Sequence, residues 1–212
     1  MELSVVIVSY NAGTILRDCI ASVLADLRGG ELANRASVTV VDNHSSDPAV
    51  RDCRAQFSGI NWIQFSRNLG FSAAVNAGVA QSVGELVFIL NPDCEVSKGF
   101  FSDAIRSFRT HGGCAAMGFR QVDEKGALQL SVGGHPGYIN ELFRKWTQSQ
   151  FDKGRGFLLR FMTWYLRKPR EVSWVAASAL LVRRSDFERI AGFDESFFLY
   201  FEDIDFCLRL RE

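Results

Sequence analysis

Residues 86–96 read LVFILNPDCEV, and this stretch joins a strongly apolar run to a polar end. The apolar part, 86–90, has the length and composition of a buried strand. Asn91, Pro92 and Asp93 follow it directly. These residue types are common in turns, so a simple turn would account for them. A strand end that holds a ligand is the other interpretation.

Strand-like and helix-like patterns alternate on both sides of this stretch. Strands are predicted at 3–10, 36–43, 61–66 and 85–90, and helices at 14–25, 47–57, 72–83 and 99–111. Asp47 followed by Pro48 is a typical helix start, and Ser72 is predicted to cap the third helix. Such alternation indicates the α/β class, with a mostly parallel central sheet flanked by helices.

The pattern changes after residue 112. Further strands are predicted at 114–123, 127–134 and 172–184, a short capped helix at 185–192, and a last helix that begins near Glu202. That last helix has no terminating Gly or Pro, so we expect a sequence truncated at its C-terminus. The length of 212 residues fits a single domain.

Composition limits the classes of function. The chain is 47% hydrophobic and has 24 basic and 24 acidic residues, which gives no electrostatic argument for binding nucleic acid. Its five cysteines are scattered without a CxxC pair, which favours reduced thiols and a cytoplasmic location. No apolar stretch reaches the roughly 20 residues that span a bilayer.

The segment 157–170 has two interpretations. Its part 157–166 is nearly apolar and is flanked by Arg155, Arg167, Lys168 and Arg170. A helix of this kind fits peripheral contact with the inner face of the plasma membrane. It equally fits a helix that packs on the domain or forms a dimer contact.

Polar residues follow each of the four predicted N-terminal strands. They are Ser9-Tyr10-Asn11, Asp42-Asn43, Ser66-Arg67-Asn68 and Asn91-Pro92-Asp93. In open parallel sheets, ligands bind beyond the carboxyl ends of the strands, where loops and helix N-termini converge. One polar strand end is common by chance, but four together predict a site for a polar, phosphorylated ligand.

The glycine-rich phosphate loops of other nucleotide-binding folds are absent from the sequence. Neither GxxxxGK[ST] nor a GxGxxG after the first strand occurs, which disfavours P-loop nucleotidases and dinucleotide-binding domains. A pyrophosphate would then need another counter-charge. Arg67 is one candidate, and a divalent cation on Asp93 is the other, because Mg²⁺ binds through one or two carboxylates plus substrate phosphates.

Two of these polar pairs also have ordinary structural interpretations. Asp42 and Asn43, with the polar residues after them, fit a helix cap. Glu202 and Asp203 fit first-turn acids that complement a helix dipole.

Five segments carry a family resemblance: SVVIVSYNAG (4–13), VVDNHSSD (40–47), NLGFSAAVNAGV (68–79), LNPD (90–93) and FDESFFLYFEDIDFCLRL (193–210). In this order they resemble family 2 glycosyltransferases, which are inverting enzymes with a GT-A fold and nucleotide-sugar donors. The Asn-Pro-Asp form and FFLYFEDID are most similar to the rhamnosyltransferase-type branch, which builds cell-surface polysaccharides from dTDP-rhamnose. The resemblance implies one GT-A domain with a Rossmann-like nucleotide-sugar-binding half (1–110) and an acceptor-binding half (111–212).

The resemblance also implies roles for individual residues. Asp93 would hold Mg²⁺ or Mn²⁺, and Asp203, beside Glu202, would be the general base. The nucleotide site would comprise Ser9, Tyr10, Asn11, Asp42, Arg67, Asn68 and Asn91. The acceptor or sugar pocket would comprise Trp174, Ala177, Ser178 and Asp194.

The implied function is metal-dependent transfer of a sugar, such as L-rhamnose, from a dTDP- or UDP-sugar to a saccharide or lipid-linked saccharide. The alternative is a nucleotide-sugar-binding module without turnover, part of a larger protein. Two departures bear on the choice. Ala177-Ser178 replaces the usual Gly-Ala, and the downstream histidine that often joins the metal site would fall after Glu212. A sugar-nucleotide pyrophosphorylase would need a glycine-rich basic loop that 9–18 lacks.

Overall fold

The computed structural model describes residues 1–134 and 163–212. The strands are β1 Leu3–Ser9, β2 Ala36–Asp42, β3 Asn61–Gln64, β4 Leu86–Leu90, β5 Ala116–Gly118, β6 Gln121–Val122, β7 Leu128–Gln129, β8 Val132–Gly133, β9 Trp174–Val175 and β10 Ala179–Arg183. The helices of these ranges are α1 Gly13–Arg28, α2 Pro48–Gln56, α3 Phe71–Ala80, α4 Phe100–Thr110, α5 Arg184–Arg189 and α6 Glu202–Arg209.

Six strands form the central sheet in the order β3-β2-β1-β4-β10-β5. β1 to β4 are parallel, whereas β10 runs antiparallel to both of its neighbours. Separate two-stranded sheets pair β6 with β7 and β8 with β9. The predicted fold class, a mostly parallel sheet flanked by helices, is confirmed.

Every residue of β1 and β4 is buried, because helices cover both faces of the sheet. One face packs against α1, α2 and α4, with large side chains such as Leu16 and Phe101 in its core. The other face packs against α3, α5 and α6. Gly78 of α3 lies so close to Val6 and Val41 that a side chain there would clash with both.

The order of the parallel strands fixes where a ligand can bind. β1 lies between β2 and β4, so the chain moves outward through β2 and β3 and then returns to the other side of β1. The loops after β1 and β4 therefore leave in opposite directions and open a crevice at the carboxyl edge, where such sheets bind ligands.

The predicted helix starts are confirmed only in part. The start of α2 is confirmed, because the Asp47 side chain accepts a hydrogen bond from the Ala49 N–H at 2.9 Å. The cap at Ser72 is wrong: α3 begins after Gly70, whose φ is 89°, and has no side-chain cap. The predicted cap of the short helix is also absent.

The three late strands are broken into shorter pieces. The predicted strand 172–184 divides into β9, which pairs with β8, and β10, which joins the central sheet. The segments 114–123 and 127–134 each contain two short strands. The predicted apolar segment 157–166 lies mostly outside the described residues. Within 1–134 and 163–212, no helix has the length and hydropathy needed to cross a membrane.

Candidate functional site

The end of β1 supplies two side chains of contrasting exposure. Ser9 is fully buried, and its hydroxyl has no hydrogen-bond partner among the described residues. Tyr10 is 53% exposed at the edge of the crevice. The Ser9 carbonyl accepts a hydrogen bond from the Asn43 N–H at 2.8 Å, which ties the end of β1 to the end of β2.

Asn11 lies at this edge but holds the protein's own backbone. Its side-chain oxygen accepts hydrogen bonds from the N–H groups of Ser46 (2.8 Å) and Asp47 (3.2 Å). Its own N–H donates to the Ser45 hydroxyl at 2.8 Å. Asn11 therefore positions the loop after β2, a role that its place beside a predicted nucleotide pocket did not indicate.

The end of β2 is built from two buried polar residues. Asp42 accepts a hydrogen bond from the Ser45 N–H at 2.9 Å. Asn43 donates to the Gly70 carbonyl at 3.0 Å and accepts from the Leu69 N–H at 2.9 Å. Asn43 thus joins the end of β2 to the loop before α3.

That loop carries the two residues predicted from the third strand end. Arg67 is exposed, and Asn68 is half-buried. The Asn68 side-chain oxygen accepts a hydrogen bond from the Gly70 N–H at 2.9 Å. The positive charge of Arg67 is therefore exposed near the helix N-terminus, where an anion is stabilised.

The stretch 86–96 contains both a strand end and a turn. The Cys94 N–H donates to the Asn91 carbonyl at 3.2 Å, which closes a four-residue turn directly after β4. Asp93 is exposed on this turn. The Asn91 N–H donates to the Ser178 carbonyl at 2.9 Å, so the turn contacts one of the predicted sugar-pocket residues.

Besides its contact with Asn91, Ser178 makes a second hydrogen bond through its side chain. Its hydroxyl accepts a hydrogen bond from the Gln121 side-chain amide at 2.7 Å. The neighbouring Ala177 is buried and Trp174 is half-buried. Gln121 had no signal in the sequence, because its contact depends on two segments 57 residues apart.

Two thiols lie under the Asp93 turn. Cys94 donates weakly to the Asp93 carboxylate at 3.6 Å, and Cys19 donates to the Asn91 carbonyl at 3.6 Å. Burial, followed by the charge of Asp93, raises the pKa of Cys94 to about 12. Burial also raises the pKa of Cys19. Both thiols are therefore neutral at pH 7 and add no negative charge beside Asp93.

The acidic pair at the start of α6 combines a buried and a half-buried carboxylate. Glu202 is only 6% exposed, and its Oε2 atom has no hydrogen-bond partner within the described ranges. Burial raises the pKa of Glu202, and the charge of Asp203 raises it further. Asp203 is half-buried and accepts a hydrogen bond from the Ile204 N–H at 2.8 Å. Both residues lie in the first turn, as the helix-dipole interpretation requires.

The loop before α6 is held against α3 by an unpredicted residue. Asn76 donates to the Phe193 carbonyl and accepts from the Phe193 N–H, both at 2.9 Å, and it also donates to Glu195 at 3.0 Å. Asp194 is exposed and accepts a hydrogen bond from the Ser196 N–H, and this bond lowers the pKa of Asp194. The loop therefore belongs to the same edge of the molecule as the α3 N-terminus.

The fit to a divalent cation rests on Asp93. Among 1–134 and 163–212, no group of three or more His, Cys, Asp or Glu side chains could hold a metal. An exposed carboxylate with only a weak hydrogen bond from a thiol nevertheless fits Mg²⁺ or Mn²⁺, which complete their coordination with water and substrate phosphates. The arrangement suits a cation that arrives with a diphosphate.

A parallel sheet with polar strand ends at its switch point is the architecture of a nucleotide-binding α/β domain. Residues 4–189 match the family model Glycosyl transferase family 2, and the chain belongs to that family of glycosyltransferases. Over 98% of its length it is 29% identical to the N-acetylglucosaminyl-diphospho-decaprenol L-rhamnosyltransferase of Mycobacterium tuberculosis, of which it spans 70%.

Solved structures share the fold. The crystal structure of S. aureus TarS 1–349 in complex with UDP superposes with a TM-score of 0.66 at 16% identity, covering 98% of this chain and 54% of that one. The mannosyltransferase PcManGT of Pyrobaculum calidifontis, in complex with GDP-Man and Mn²⁺, gives 0.59 at 15% identity, covering 97% and 50%. The chain thus spans about half of these solved proteins.

Proposed function

We propose that this chain transfers a sugar, with inversion, from a nucleoside-diphosphate donor to a hydroxyl acceptor during synthesis of a cell-surface polysaccharide. The observation that carries the proposal is the Asp93 turn, which has an exposed carboxylate at the carboxyl end of β4, beside the switch point. The same turn is joined to Ser178, whose carbonyl accepts a hydrogen bond from the Asn91 N–H. A rhamnosyl donor, dTDP-rhamnose, is the specific form we favour, because the mycobacterial relative is a rhamnosyltransferase by name.

In this proposal different strand ends contact different parts of the nucleotide-sugar donor. Tyr10 and Asp42 contact the base and ribose, and Asn91 reaches the ribose. Ser9 is fully buried and lies behind them, out of contact with the donor. Arg67 faces the phosphates, where its exposed positive charge offsets theirs. Asn11 and Asn68 support the loops, because their side-chain oxygens already accept backbone hydrogen bonds.

Asp93 would hold the Mg²⁺ or Mn²⁺ ion. The ion supplies positive charge that stabilises the leaving diphosphate. The solved mannosyltransferase with GDP-Man and Mn²⁺ supports a metal in a domain of this fold.

Asp203 is the proposed general base, which takes the proton from the acceptor hydroxyl. Its neighbour Glu202 is buried and is therefore less accessible to an acceptor hydroxyl. Positioned base catalysis contributes roughly 10² to 10⁴-fold to a rate. We expect Asp203→Asn to lower kcat by about that factor while leaving donor binding intact.

The acceptor in this proposal is a saccharide on a lipid carrier, as the name of the mycobacterial relative indicates for that enzyme. Trp174, Ala177, Ser178 and Asp194 would form its pocket. Arg167, Lys168 and Arg170 are exposed, which supports a cytoplasmic enzyme that contacts the anionic inner face of the plasma membrane. Charge reversal at Arg167 and Lys168 should then weaken sedimentation with anionic liposomes.

A thermal-shift panel of dTDP, UDP, GDP and NAD, each with and without Mn²⁺, tests the donor site. A ligand at a hundred times its Kd adds about 2.7 kcal/mol, or about 5–10 °C for a domain of this size. We expect a Mn²⁺-dependent shift with dTDP or UDP. No shift with any diphosphate contradicts the proposal. A shift without any donor turnover would favour the binding module instead.

A further inference from the structure

Four consecutive large side chains before α6 are exposed. We call Phe198–Phe201 the aromatic turn, and its members Phe198, Leu199, Tyr200 and Phe201 are 56%, 52%, 71% and 57% exposed. The other exposed large apolar residues of the described chain occur singly along the sequence. A contiguous exposed apolar run of this kind marks an interaction site.

The backbone of the aromatic turn is held in place, although its side chains are exposed. The Phe198 carbonyl accepts a hydrogen bond from the Phe71 N–H at 2.9 Å, at the first residue of α3. Gly70 lies directly beneath Phe198, and a side chain at Gly70 would meet the Phe198 carbonyl at 2.6 Å. The turn is therefore a rigid surface at the carboxyl edge of the sheet.

Two of its residues have a strained backbone. Tyr200 and Phe201 both have φ of 70°, a conformation that bulky residues rarely adopt and that glycine adopts without cost. Strain of this kind costs about 1–3 kcal/mol per residue and is concentrated at functional sites. Here it places two aromatic rings directly before Glu202 and Asp203.

The charges around the aromatic turn limit the class of partner that it can bind. Asp194 and Glu195, which are exposed, precede it, and the half-buried Asp203 follows it. An anionic membrane surface would be repelled by these carboxylates. A sugar ring is uncharged, has a C–H face that packs on aromatic rings, and has hydroxyls that donate hydrogen bonds to carboxylates.

We infer that the aromatic turn is the stacking surface for a pyranose ring of the acceptor, with Tyr200 and Phe201 against its C–H face. The inference rests on the proposed function and adds to it a binding surface outside the predicted pocket. Stacking on residues next to Asp203 would hold an acceptor hydroxyl within reach of that carboxylate. The turn would thus set which sugar face, and so which hydroxyl, is presented.

Saturation-transfer NMR with the methyl glycoside of N-acetylglucosamine tests the surface without requiring turnover. We expect saturation of the ring C–H protons by the wild type, and a Kd about tenfold weaker in Tyr200→Ala, because one aromatic contact is worth roughly that factor. Tyr200→Phe should bind like the wild type. Tyr200→Gly relieves the backbone strain, so it should fold normally and still lose the signal.

Val83→Ala is the matched control, since Val83 is 70% exposed but lies just before β4, at the opposite edge of the sheet. Equal saturation in the wild type and Tyr200→Ala, or no saturation in either, would overturn the inference. Loss of liposome binding in Tyr200→Ala with unchanged sugar binding would assign the turn to the membrane instead. The Mn²⁺-dependent dTDP shift reports on the proposed function separately, and we expect it to be unchanged in Tyr200→Ala.

Discussion

Asn76→Ala should loosen the loop that carries the aromatic turn. Asn76 makes two hydrogen bonds of 2.9 Å with the Phe193 backbone and one of 3.0 Å with Glu195. These bonds join α3 to a loop 117 residues away in the sequence. The change removes all three and leaves the Phe193 N–H and carbonyl without these partners.

The size of the effect follows from these contacts. Each of the two backbone bonds contributes about 1 kcal/mol. The exposed bond to Glu195 adds little. Alanine is the better helix former by about 0.5 kcal/mol, which offsets part of the loss. We expect unfolding to become easier by about 2 kcal/mol, or about 4–8 °C in Tm.

Urea denaturation and a thermal scan measure this change. Asn34→Ala is the control, because Asn34 is an exposed loop residue, and its Tm should stay within about a degree of the wild type. A loss below about 0.5 kcal/mol in Asn76→Ala would refute the reasoning, since it would mean that the loop does not depend on these bonds.

Three further substitutions test other parts of the structure. Gly78→Ala should destabilise the fold by about 1–3 kcal/mol in urea, because its methyl group would overlap Val6; no change would show that α3 can move away from the sheet. Asp26→Ala should cost about 2–3 kcal/mol, because Asp26 accepts hydrogen bonds from the Gly99 and Phe101 N–H groups at the start of α4; full stability would contradict this capping role. Burial raises the pKa of Glu202 above its ordinary 4.5, so the folded state binds its proton more tightly and the free energy of unfolding falls as pH rises through this range. Glu202→Gln should therefore be more stable than the wild type at pH 7 and match it near pH 4, and a gap that does not change with pH would be the contrary result.

The central sheet was predictable because its signals are local. β1, β2 and β4 are short and mostly apolar runs, and the start of α2 needs only Asp47 and Pro48. The start of α3 was not predictable in the same way. Ser72 has the right residue type for a cap, but the helix starts after Gly70. There Phe198, from far along the chain, leaves no room for a side chain.

In the candidate site, too, some features follow from local sequence and others depend on distant residues. Polar residues at strand ends are visible in the sequence, and the structure brings all four ends to one edge. Whether such a side chain is free to bind a ligand depends on whether nearby backbone groups need it as a hydrogen-bond partner. Asn11, Asn43 and Asn76 fill such needs, and their bonds span 26 to 117 residues of sequence. No local pattern contains that information.

Calorimetric titration of dTDP in the presence of Mn²⁺ tests the central claim most directly, namely that a nucleoside diphosphate binds at the Asp93 turn. The proposal predicts binding by the wild type and by Asp52→Ala, whose aspartate is exposed on α2, and binding at least about tenfold weaker in Asp93→Ala, since removing a charged metal ligand costs at least that much. Equal affinity in the wild type and Asp93→Ala would contradict the claim.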